Sequence, residues 1–446
     1  MFAPPGPTAD HSRSNGRPVR SANLPVGGLL LFTYFLWFIV LGEPQWWIAS
    51  LGPQLVLKVP TLLFAVLLLL TASKAPSRLF PPLLAFLLFT VLTLPFSYNR
   101  GLSLEVAKGV FANYVMAVAT LTFVRSAREA VPIVWWGLLA QYVWWVGLGA
   151  KDGEVPWHPS YANYDGFGPM MVMGMASTFY VGMAAKDRRV RTLAFVAAAG
   201  CLIGLVSSFA RGAVVSGAVV AVWVWIRSRH KLRTTVLGVA AAIVLVVSTS
   251  VFFSNVSRGD ARTNFWAEMS TILDSGNDAT RSDREVIWGL AVRVFLQRPA
   301  FGVGPGCFGP YAAENLNLSS LGGYYGENPG RLWNKALHNT YYQILSEFGA
   351  VGSAIFLWML WDFFKRNRAL RKRERIGAWA SRTDARLDLR YLSLALEASM
   401  VGFLTTAYFY NQIFDVQWFY TLLTINAMLY YVTRRDQAPA ALRPAT

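Results

Sequence analysis

Long apolar segments alternate with short polar ones along most of the chain. An apolar helix of about 20 residues crosses the hydrocarbon core of a bilayer. The pattern therefore predicts an all-α polytopic membrane protein with about twelve transmembrane helices. The closely spaced segments 191–209 and 211–227 fit either a helical hairpin or one broken helix. The predicted spans are residues 26–42, 54–73, 79–96, 102–124, 130–149, 166–185, 191–209, 211–227, 233–253, 339–363, 391–410 and 414–433.

The spans divide the chain into five regions. Residues 1–25 are rich in Pro, Gly, Ser and Arg, which predicts a disordered cytoplasmic tail. Residues 26–253 hold the first nine predicted helices and residues 339–433 the last three, and residues 434–446 form a second cytoplasmic tail. Residues 254–338 form one large loop, the only predicted loop long enough for a site-bearing subdomain of short helices.

The large loop contains one well-marked predicted helix, with Arg284 in its first turn. Ser282 and Glu285 have the spacing of a capping box, so Ser282 is the expected N-cap. The helix should end near Gln297, because Pro299 cannot continue it. The apolar residues between these limits recur on one face, which indicates an amphipathic helix resting on the bilayer or on the other helices.

The charge distribution supports a membrane protein and gives its orientation. Charged residues make up 15% of the chain, against roughly 25% in soluble globular proteins. The net charge of +17 could indicate nucleic-acid binding, but most of the 41 Lys and Arg residues lie in tails and short loops on one predicted side. This placement follows the positive-inside rule and puts both termini in the cytoplasm. We therefore expect membrane lipids as partners and no nucleic acid, with the basic run 365–375 on anionic headgroups.

Two arginines are candidates for holding an anionic ligand at the outer membrane boundary. Arg211 lies between two apolar spans, where a charge is costly unless it is paired or faces a polar cavity. The plainer alternative is an arginine that snorkels to the headgroups. Arg284 in a first helical turn would combine a guanidinium with unpaired backbone N–H groups, which is a good phosphate receptor. Its plainer alternative is an exposed side chain paired with Asp283 or Glu285.

His338 is the candidate base. It precedes Asn339 at the point where the large loop meets the next predicted span. Imidazole titrates near pH 6.5 in peptides, which suits a general base, whereas the plainer alternative is that His338 or Asn339 caps the following helix. Together with Arg211 and Arg284, His338 predicts a site where two cations hold a diphosphate and a base removes a proton from an acceptor hydroxyl.

Three further features of the sequence allow less specific predictions. Lys108 lies near Glu105 within a predicted span, and it either forms an internal ion pair or lines a cavity for an anionic ligand. The glycine cluster at residues 301–306 lacks the preceding strand and the following Lys-Ser/Thr of a nucleotide loop, which favours a turn that closes the Arg284 helix. His158 has no recognisable metal-ligand spacing to the nearby acidic residues. We expect neither a metal ion nor any other cofactor.

Several motifs resemble the O-antigen ligase and polymerase superfamily, most closely the O-antigen ligases. The stretch that begins at His338 is the most specific of them, whereas the glycine cluster alone would be weak. In the first motif, Phe209-Ala210 separates the serine from the arginine that the family usually places together. The motifs are Ser208-Phe209-Ala210-Arg211-Gly212, Arg284 with Trp288, Arg298-Pro299-Ala300-Phe301-Gly302-Val303-Gly304-Pro305-Gly306, and His338-Asn339-Thr340-Tyr341-Tyr342 followed by Glu347-Phe348-Gly349 and Gly352.

The resemblance implies a metal-independent, inverting glycosyltransferase in the bacterial inner membrane. It would move O-antigen polysaccharide from undecaprenyl diphosphate to a sugar hydroxyl of lipid A–core on the periplasmic face. By position, Arg211 and Arg284 would bind the diphosphate and act in catalysis with His338, and Asn339 and Tyr341 match the motif as substrate-binding candidates. The alternatives are an O-antigen polymerase, a protein O-oligosaccharyltransferase and, from another class, a transporter of lipid-linked glycan.

Overall fold

The structure, a computed structural model, is predominantly helical in the part of the chain that it describes, in agreement with the predicted class. The exception is one pair of short antiparallel strands. The predicted tail 1–25, the predicted span 26–42 and His158 lie outside the described residues. The described residues are 62–68, 70, 80–143, 146, 166–252, 256–258, 261–263, 265–270, 279–319, 323–374, 388–411 and 417–436.

The helices before the large loop follow the predicted spans to within a few residues, and local capping signals begin several of them. The Asn99 side chain accepts hydrogen bonds from the Gly101 and Leu102 N–H groups at the start of α2. Ser126 and Glu129 form a capping box at the start of α3. The helices are α1 Pro81–Thr93, α2 Arg100–Phe123, α3 Ala127–Trp135 with a π-turn at Trp136–Ala140, α4 Phe167–Ala184, α5 Arg188–Ser207, α6 Arg211–Arg227 and α7 Lys231–Phe252.

The large loop folds into short elements. The helix predicted around Arg284 ends at Gln297 as expected, but it begins at Ala279, so the prediction that Ser282 caps it is wrong. Arg284 therefore lies beyond the first turn, and its own N–H is no longer one of the unpaired groups at the helix start. The loop elements are β1 Val256–Arg258, β2 Ala261–Thr263, α8 Phe265–Ser270, α9 Ala279–Gln297, α10 Phe308–Asn315 and α11 Gly323–Gly326.

Three helices follow the loop, namely α12 Thr340–Glu374, α13 Leu389–Thr406 and α14 Gln417–Asp436. Within the described residues, three helical stretches are long and apolar enough to cross a membrane, and a fourth apolar helix is shorter. These stretches indicate a membrane protein. The count of about twelve spans, the region boundaries and the cytoplasmic placement of the termini stay predictions. The three stretches are Arg100–Phe123, Arg188–Val206 and Thr340–Lys372, and the shorter helix is Pro81–Phe96.

Helix α12 turns sharply at Gly349, whose backbone has φ 65° and ψ −164°. The Thr340 N–H donates to the Ala407 carbonyl, and the Asn367 side chain donates to the Ser393 carbonyl. Ser393 and Ala407 lie about 20 Å apart along α13, whereas a straight helix from Thr340 to Asn367 would measure about 40 Å. Both contacts form because α12 bends between them.

The glycine cluster of the loop closes against this bend. Gly302, Gly304 and Gly306 all have positive φ, a conformation that glycine adopts without strain. A Cβ atom at Gly302 would lie 2.4 Å from the Glu347 carbonyl, so no larger residue fits there. The cluster therefore forms a turn after α9, as predicted. Four backbone hydrogen bonds join this turn and the two residues before it to α12: Val303 N–H to Ser346 O, Gly304 N–H to Glu347 O, Ala350 N–H to Pro299 O, and Val351 N–H to Ala300 O.

Helices α5 and α6 form a hairpin, which decides between the two interpretations of their sequence. A Cβ atom at Gly217 of α6 would lie 2.6 Å from the side chain of Leu205 in α5, so α6 folds back along α5. Helix α4 packs beside both, and a Cβ atom at its Gly168 would lie 2.7 Å from Ala213 of α6. Small residues permit these close approaches between helices.

The contacts between helices define two ends of the bundle. At one end, the turn between α5 and α6 lies near the start of α12 and the end of α13, and we call this the turn end. At the other end, the Asp388 N–H at the start of α13 donates to the Ala184 carbonyl at the end of α4. Arg227 and Arg371 also lie there, near the ends of α6 and α12, and we call this the basic end.

A buried ion-pair network holds the basic end together. The Glu397 carboxylate is 4% exposed and pairs with Arg227 at 3.1 Å and with Arg371. The Asn367 side chain donates to the same carboxylate at 3.3 Å. One carboxylate therefore joins α6, α12 and α13, and its burial is compensated by two cations and an amide.

The basic run 365–375 differs from its prediction. Helix α12 continues to Glu374, so part of the run is helical. Arg366 is 7% exposed, pairs with Asp362 at 2.8 Å and lies over the ring of Phe80. Because Arg366 and Arg371 bind partners inside the protein, the prediction that the run lies on lipid headgroups is wrong for these two residues.

Candidate functional site

Arg211 follows a tight turn and begins α6. Phe209 in this turn has φ 52°, and its ring packs on Phe265 of α8 with centroids 6.0 Å apart. The Ala210 N–H donates to the Ser208 hydroxyl at 3.2 Å. No side chain caps the start of α6. The sequence suggested that Arg284 combines its guanidinium with the start of a helix. In the structure Arg211 has this position, because it is the first residue of α6 and lies at the positive end of the helix dipole.

Gly212 brings the end of α13 against the Arg211 turn. A Cβ atom at Gly212 would lie 2.5 Å from Cγ of Phe409, so the Phe409 ring rests directly on this part of the backbone. The absence of a side chain at Gly212 permits this close approach. We call residues 407–411 the crossing segment, since the remaining site segments contact it as well.

Asn339 attaches the start of α12 to the crossing segment. Its side-chain oxygen accepts hydrogen bonds from the Tyr341 and Tyr342 N–H groups at 2.9 and 3.1 Å, which caps α12. Its side-chain nitrogen donates to the Tyr408 carbonyl at 3.0 Å, and its own N–H donates to the Asn411 side chain at 3.1 Å. The capping alternative considered for this motif is confirmed for Asn339.

Trp288 links α9 to both of these segments. Its indole N–H donates to the Leu337 carbonyl at 2.9 Å, immediately before His338. The indole ring stacks on Tyr342 with centroids 5.5 Å apart, and it meets Tyr408 edge-on at 5.5 Å. Arg284 lies four residues before Trp288 and therefore on the same face of α9. These contacts bring the segments of Arg211, Arg284 and His338 together at the turn end.

Arg284 is not paired with its neighbour Asp283. The Asp283 carboxylate binds the Lys335 ammonium at 2.7 Å and accepts a hydrogen bond from the Tyr325 hydroxyl at 2.5 Å. The Nε atom of Arg284 is buried and has no hydrogen-bond partner among the described residues. The Arg227 Nε and Arg366 Nη1 atoms are also buried without a hydrogen-bond partner, but those two side chains have carboxylate partners, whereas Arg284 has none among the described residues.

His338 has an uncommon backbone conformation. Its φ of 49° lies in the left-handed region, which residues other than glycine seldom adopt. It is one of two such residues other than glycine in the described part of the chain, and the other is Phe209 beside Arg211. Residues in such conformations cluster at functional sites, because the surrounding contacts must hold them there.

The remaining candidates have contacts of their own. Lys108 pairs with Glu105 at 2.6 Å on α2, but both side chains are about half exposed, so the pair is not internal as that alternative had it. The Tyr341 hydroxyl donates to the Leu404 carbonyl at 2.6 Å, and its ring is 39% exposed. Substrate binding by Lys108, Asn339 and Tyr341 stays a prediction.

Glu347 stabilises the glycine turn. Its carboxylate is buried and accepts a hydrogen bond from the Phe308 N–H at the start of α10, at 3.2 Å. Cys307 beside it is also buried, and burial raises the pKa of its thiol, so the thiol stays neutral at physiological pH. Its sulfur lies 3.3 Å from the Ser103 hydroxyl, which fixes the turn to α2. These contacts attach the loop to α2 and α12.

Sequence reasoning missed the crossing segment. Tyr408, Phe409 and Asn411 contact the site segments, but they had been included in or placed beside a predicted span. The available signal was the concentration of aromatic residues with an asparagine at 408–411, since such residues collect at membrane interfaces. Tyr408 and Asn411 contact Asn339, which lies 69 and 72 positions before them in the chain, so no local pattern indicates these contacts.

The fold and the apolar helices indicate a helical membrane protein, and its candidate site lies at one end of the helices. Residues 193–357 match the family model described as O-antigen ligase. The matched segment includes Arg211, Arg284, His338 and the glycine turn, and the predicted resemblance to the O-antigen ligase superfamily is confirmed. The match supports a membrane glycosyltransferase of the ligase or polymerase type. A search of curated proteins gives no significant match.

Proposed function

We propose that the chain is an O-antigen ligase, which transfers a polysaccharide from undecaprenyl diphosphate to a sugar hydroxyl of lipid A–core on the periplasmic face of the inner membrane. The observation that carries the proposal is the convergence of three distant segments, those of Arg211, Arg284 and His338, on the crossing segment. Two cations and a titratable base at one end of a helical bundle suit a lipid-anchored diphosphate donor.

In the proposed reaction, Arg211 and Arg284 hold the diphosphate. The buried Nε of Arg284, which has no hydrogen-bond partner among the described residues, supplies one donor. The start of α6 adds a positive helix dipole beside Arg211. Charge that develops on the departing diphosphate is stabilised by these groups, which are already in place before the reaction.

His338 acts as the general base. The acceptor hydroxyl oxygen bonds to the anomeric carbon of the donor sugar while the bond from that carbon to the diphosphate oxygen breaks. The hydroxyl proton passes to the imidazole, and the diphosphate leaves as an anion. Attack from the side opposite the leaving group inverts the anomeric centre. No metal ion takes part in this proposal.

The proposal is tested with purified protein, lipid-linked glycan and lipid A–core. We expect ligated product in the presence of a metal chelator and without ATP. Product that depends on added divalent metal would contradict the mechanism. A deletion strain then separates the alternatives, because loss of a ligase leaves lipid-linked polymer unattached, whereas loss of a polymerase leaves single capped repeat units. Loss of glycan from secreted proteins would indicate a protein O-oligosaccharyltransferase, and lipid-linked glycan retained on the cytoplasmic face would indicate a transporter.

A further inference from the structure

The peptide groups on both sides of His338 are held by contacts that do not involve its imidazole. A left-handed residue other than glycine is strained, and it keeps this conformation only where neighbouring groups fix the adjoining peptides. His338 has φ 49°, and fixed partners lie both before and after it in the chain.

On the preceding side, Trp288 holds the Leu337 carbonyl. The indole N–H donates to this oxygen at 2.9 Å. The indole itself is fixed by stacking on Tyr342, at 5.5 Å and 26° between planes, and by edge contact with Tyr408 at 5.5 Å. The donor is therefore carried by a ring that two other aromatic side chains keep in place.

On the following side, Asn411 holds the Asn339 N–H. Its side-chain oxygen accepts this hydrogen bond at 3.1 Å. The next N–H, that of Thr340, donates to the Ala407 carbonyl at 2.8 Å, and the Thr340 hydroxyl donates to the Tyr410 carbonyl at 2.7 Å. The crossing segment thus fixes two consecutive residues directly after His338.

We infer that Trp288 and Asn411 are positioning residues for His338, an inference that rests on the proposed function. Together they fix the peptide groups that flank His338, and this sets the direction in which its imidazole points. A general base must lie within hydrogen-bond reach of the proton that it takes, and a displacement of about 1 Å can cost roughly 100-fold in rate. Neither residue touches the reacting atoms in this account.

Conservative variants separate positioning from packing. Trp288→Phe keeps an aromatic ring between Tyr342 and Tyr408 but removes the N–H donor. Asn411→Ala removes the acceptor, whereas Asn411→Asp retains one. We expect kcat to fall about 10- to 100-fold in Trp288→Phe and in Asn411→Ala, with KM for the lipid-linked donor within about twofold of wild type. Trp358→Phe, at a tryptophan that is 40% exposed on α12, is the matched control and should retain wild-type kcat.

Hydrogen exchange provides a readout that does not depend on turnover. In Trp288→Phe and Asn411→Ala, the amides of residues 338–340 should exchange at least about threefold faster than in wild type, because the backbone opens more often. Asn411→Asp should restore the wild-type exchange rate. The unfolding temperature of each variant is measured alongside, and amides elsewhere in α12 should exchange as in wild type, which distinguishes local release from general unfolding.

The outcomes are distinct. Faster exchange at 338–340 together with lower kcat supports the inference. Faster exchange with unchanged kcat overturns it and leaves the proposed function intact. Unchanged exchange in both Trp288→Phe and Asn411→Ala also overturns it, whatever happens to kcat. If the wild-type protein transfers no glycan, the proposed function fails and the positioning role falls with it, whereas the exchange data still decide whether the two side chains hold the backbone.

Discussion

The two ends of the helical bundle use arginine in opposite ways. At the basic end, Arg227 and Arg371 share the buried Glu397 carboxylate, and Arg366 binds Asp362. At the turn end, the Asp283 carboxylate beside Arg284 binds Lys335 instead, and Arg284 forms no ion pair among the described residues. The arginines of the basic end therefore stabilise the fold, whereas Arg284 is available for the ligand role proposed for it.

The two ends also differ in backbone strain. Phe209 and His338, the two residues with positive φ other than glycine in the described ranges, both lie at the turn end. At the basic end, α4 and α13 meet through an ordinary backbone hydrogen bond between Asp388 and Ala184. Strain is therefore located beside the candidate reactive groups, where surrounding contacts sustain it.

The largest expected effect is that of His338→Ala at the turn end. Removal of a general base should lower the transfer rate about 100- to 10,000-fold, with folding and donor binding nearly intact. The measurement is glycan transfer to lipid A–core by detergent-purified protein. His230→Ala, at an exposed histidine between α6 and α7, is the matched control and should transfer at the wild-type rate. Wild-type transfer by His338→Ala would remove the base role.

Arginine-to-lysine exchange at both ends should give the next largest effect and the sharpest contrast. Arg284→Lys should lower transfer about 10- to 100-fold with little change in unfolding temperature, because an ammonium cannot reproduce the planar contacts of a guanidinium with phosphate. Arg366→Lys should lower the unfolding temperature and leave transfer per folded molecule unchanged, since Arg366 packs on Phe80. If Arg284→Lys lowered the unfolding temperature and Arg366→Lys lowered transfer, the roles assigned to the two ends would be reversed.

Glu397→Gln tests the structural assignment of the basic end. It leaves Arg227 and Arg371 near a neutral amide, and we expect a loss of about 2 kcal/mol in unfolding free energy. This is less than the 3–5 kcal/mol typical of a broken buried pair, because the arginine side chains are 34% and 24% exposed. Thermal unfolding in detergent measures the loss. Transfer per folded molecule should remain at the wild-type level, and a specific loss of turnover would show that the basic end takes part in function.

The smallest expected effect is that of Asp283→Asn, beside Arg284. Asp283 binds Lys335 and Tyr325, and the ion pair is partly exposed, so its loss should cost about 0.5–1 kcal/mol of stability. Transfer should stay within about twofold of wild type, because the Asp283 carboxylate does not form an ion pair with Arg284. Lys335→Met should destabilise the protein by a similar amount. A large fall in transfer in Asp283→Asn alone would indicate that Asp283 orients the arginine.

Sequence patterns predicted the elements of this fold better than its contacts. Apolar periodicity located α4 to α7 to within a few residues, and Pro299 correctly marked the end of α9 at Gln297. The start of α9 was wrong, because the spacing of Ser282 and Glu285 also occurs inside a helix. A capping box is a local signal, so it does not by itself exclude helical residues before it.

The sequence predicted that the three candidate residues lie together, but not which segment brings them together. Arg211, Arg284 and His338 were identified from charge, position and resemblance, yet nothing local indicated that they share the crossing segment. Gly349 was recognised as part of a motif, but its function in bending α12 depends on the glycine turn that closes on it from residues 299–304. Bends, cross-contacts and unpaired buried donors arise from tertiary packing, which one-dimensional periodicity does not contain.

The hydrogen bonds between the glycine turn and α12 also bear on the response of the protein to its bilayer. A transmembrane helix tilts when its apolar length and the bilayer thickness differ. Because residues 299–304 are bonded to α12 on both sides of Gly349, tilt of this helix is passed to α9, and with it to Arg284. We therefore expect Arg284 and His338 to move together when the bilayer thickness changes.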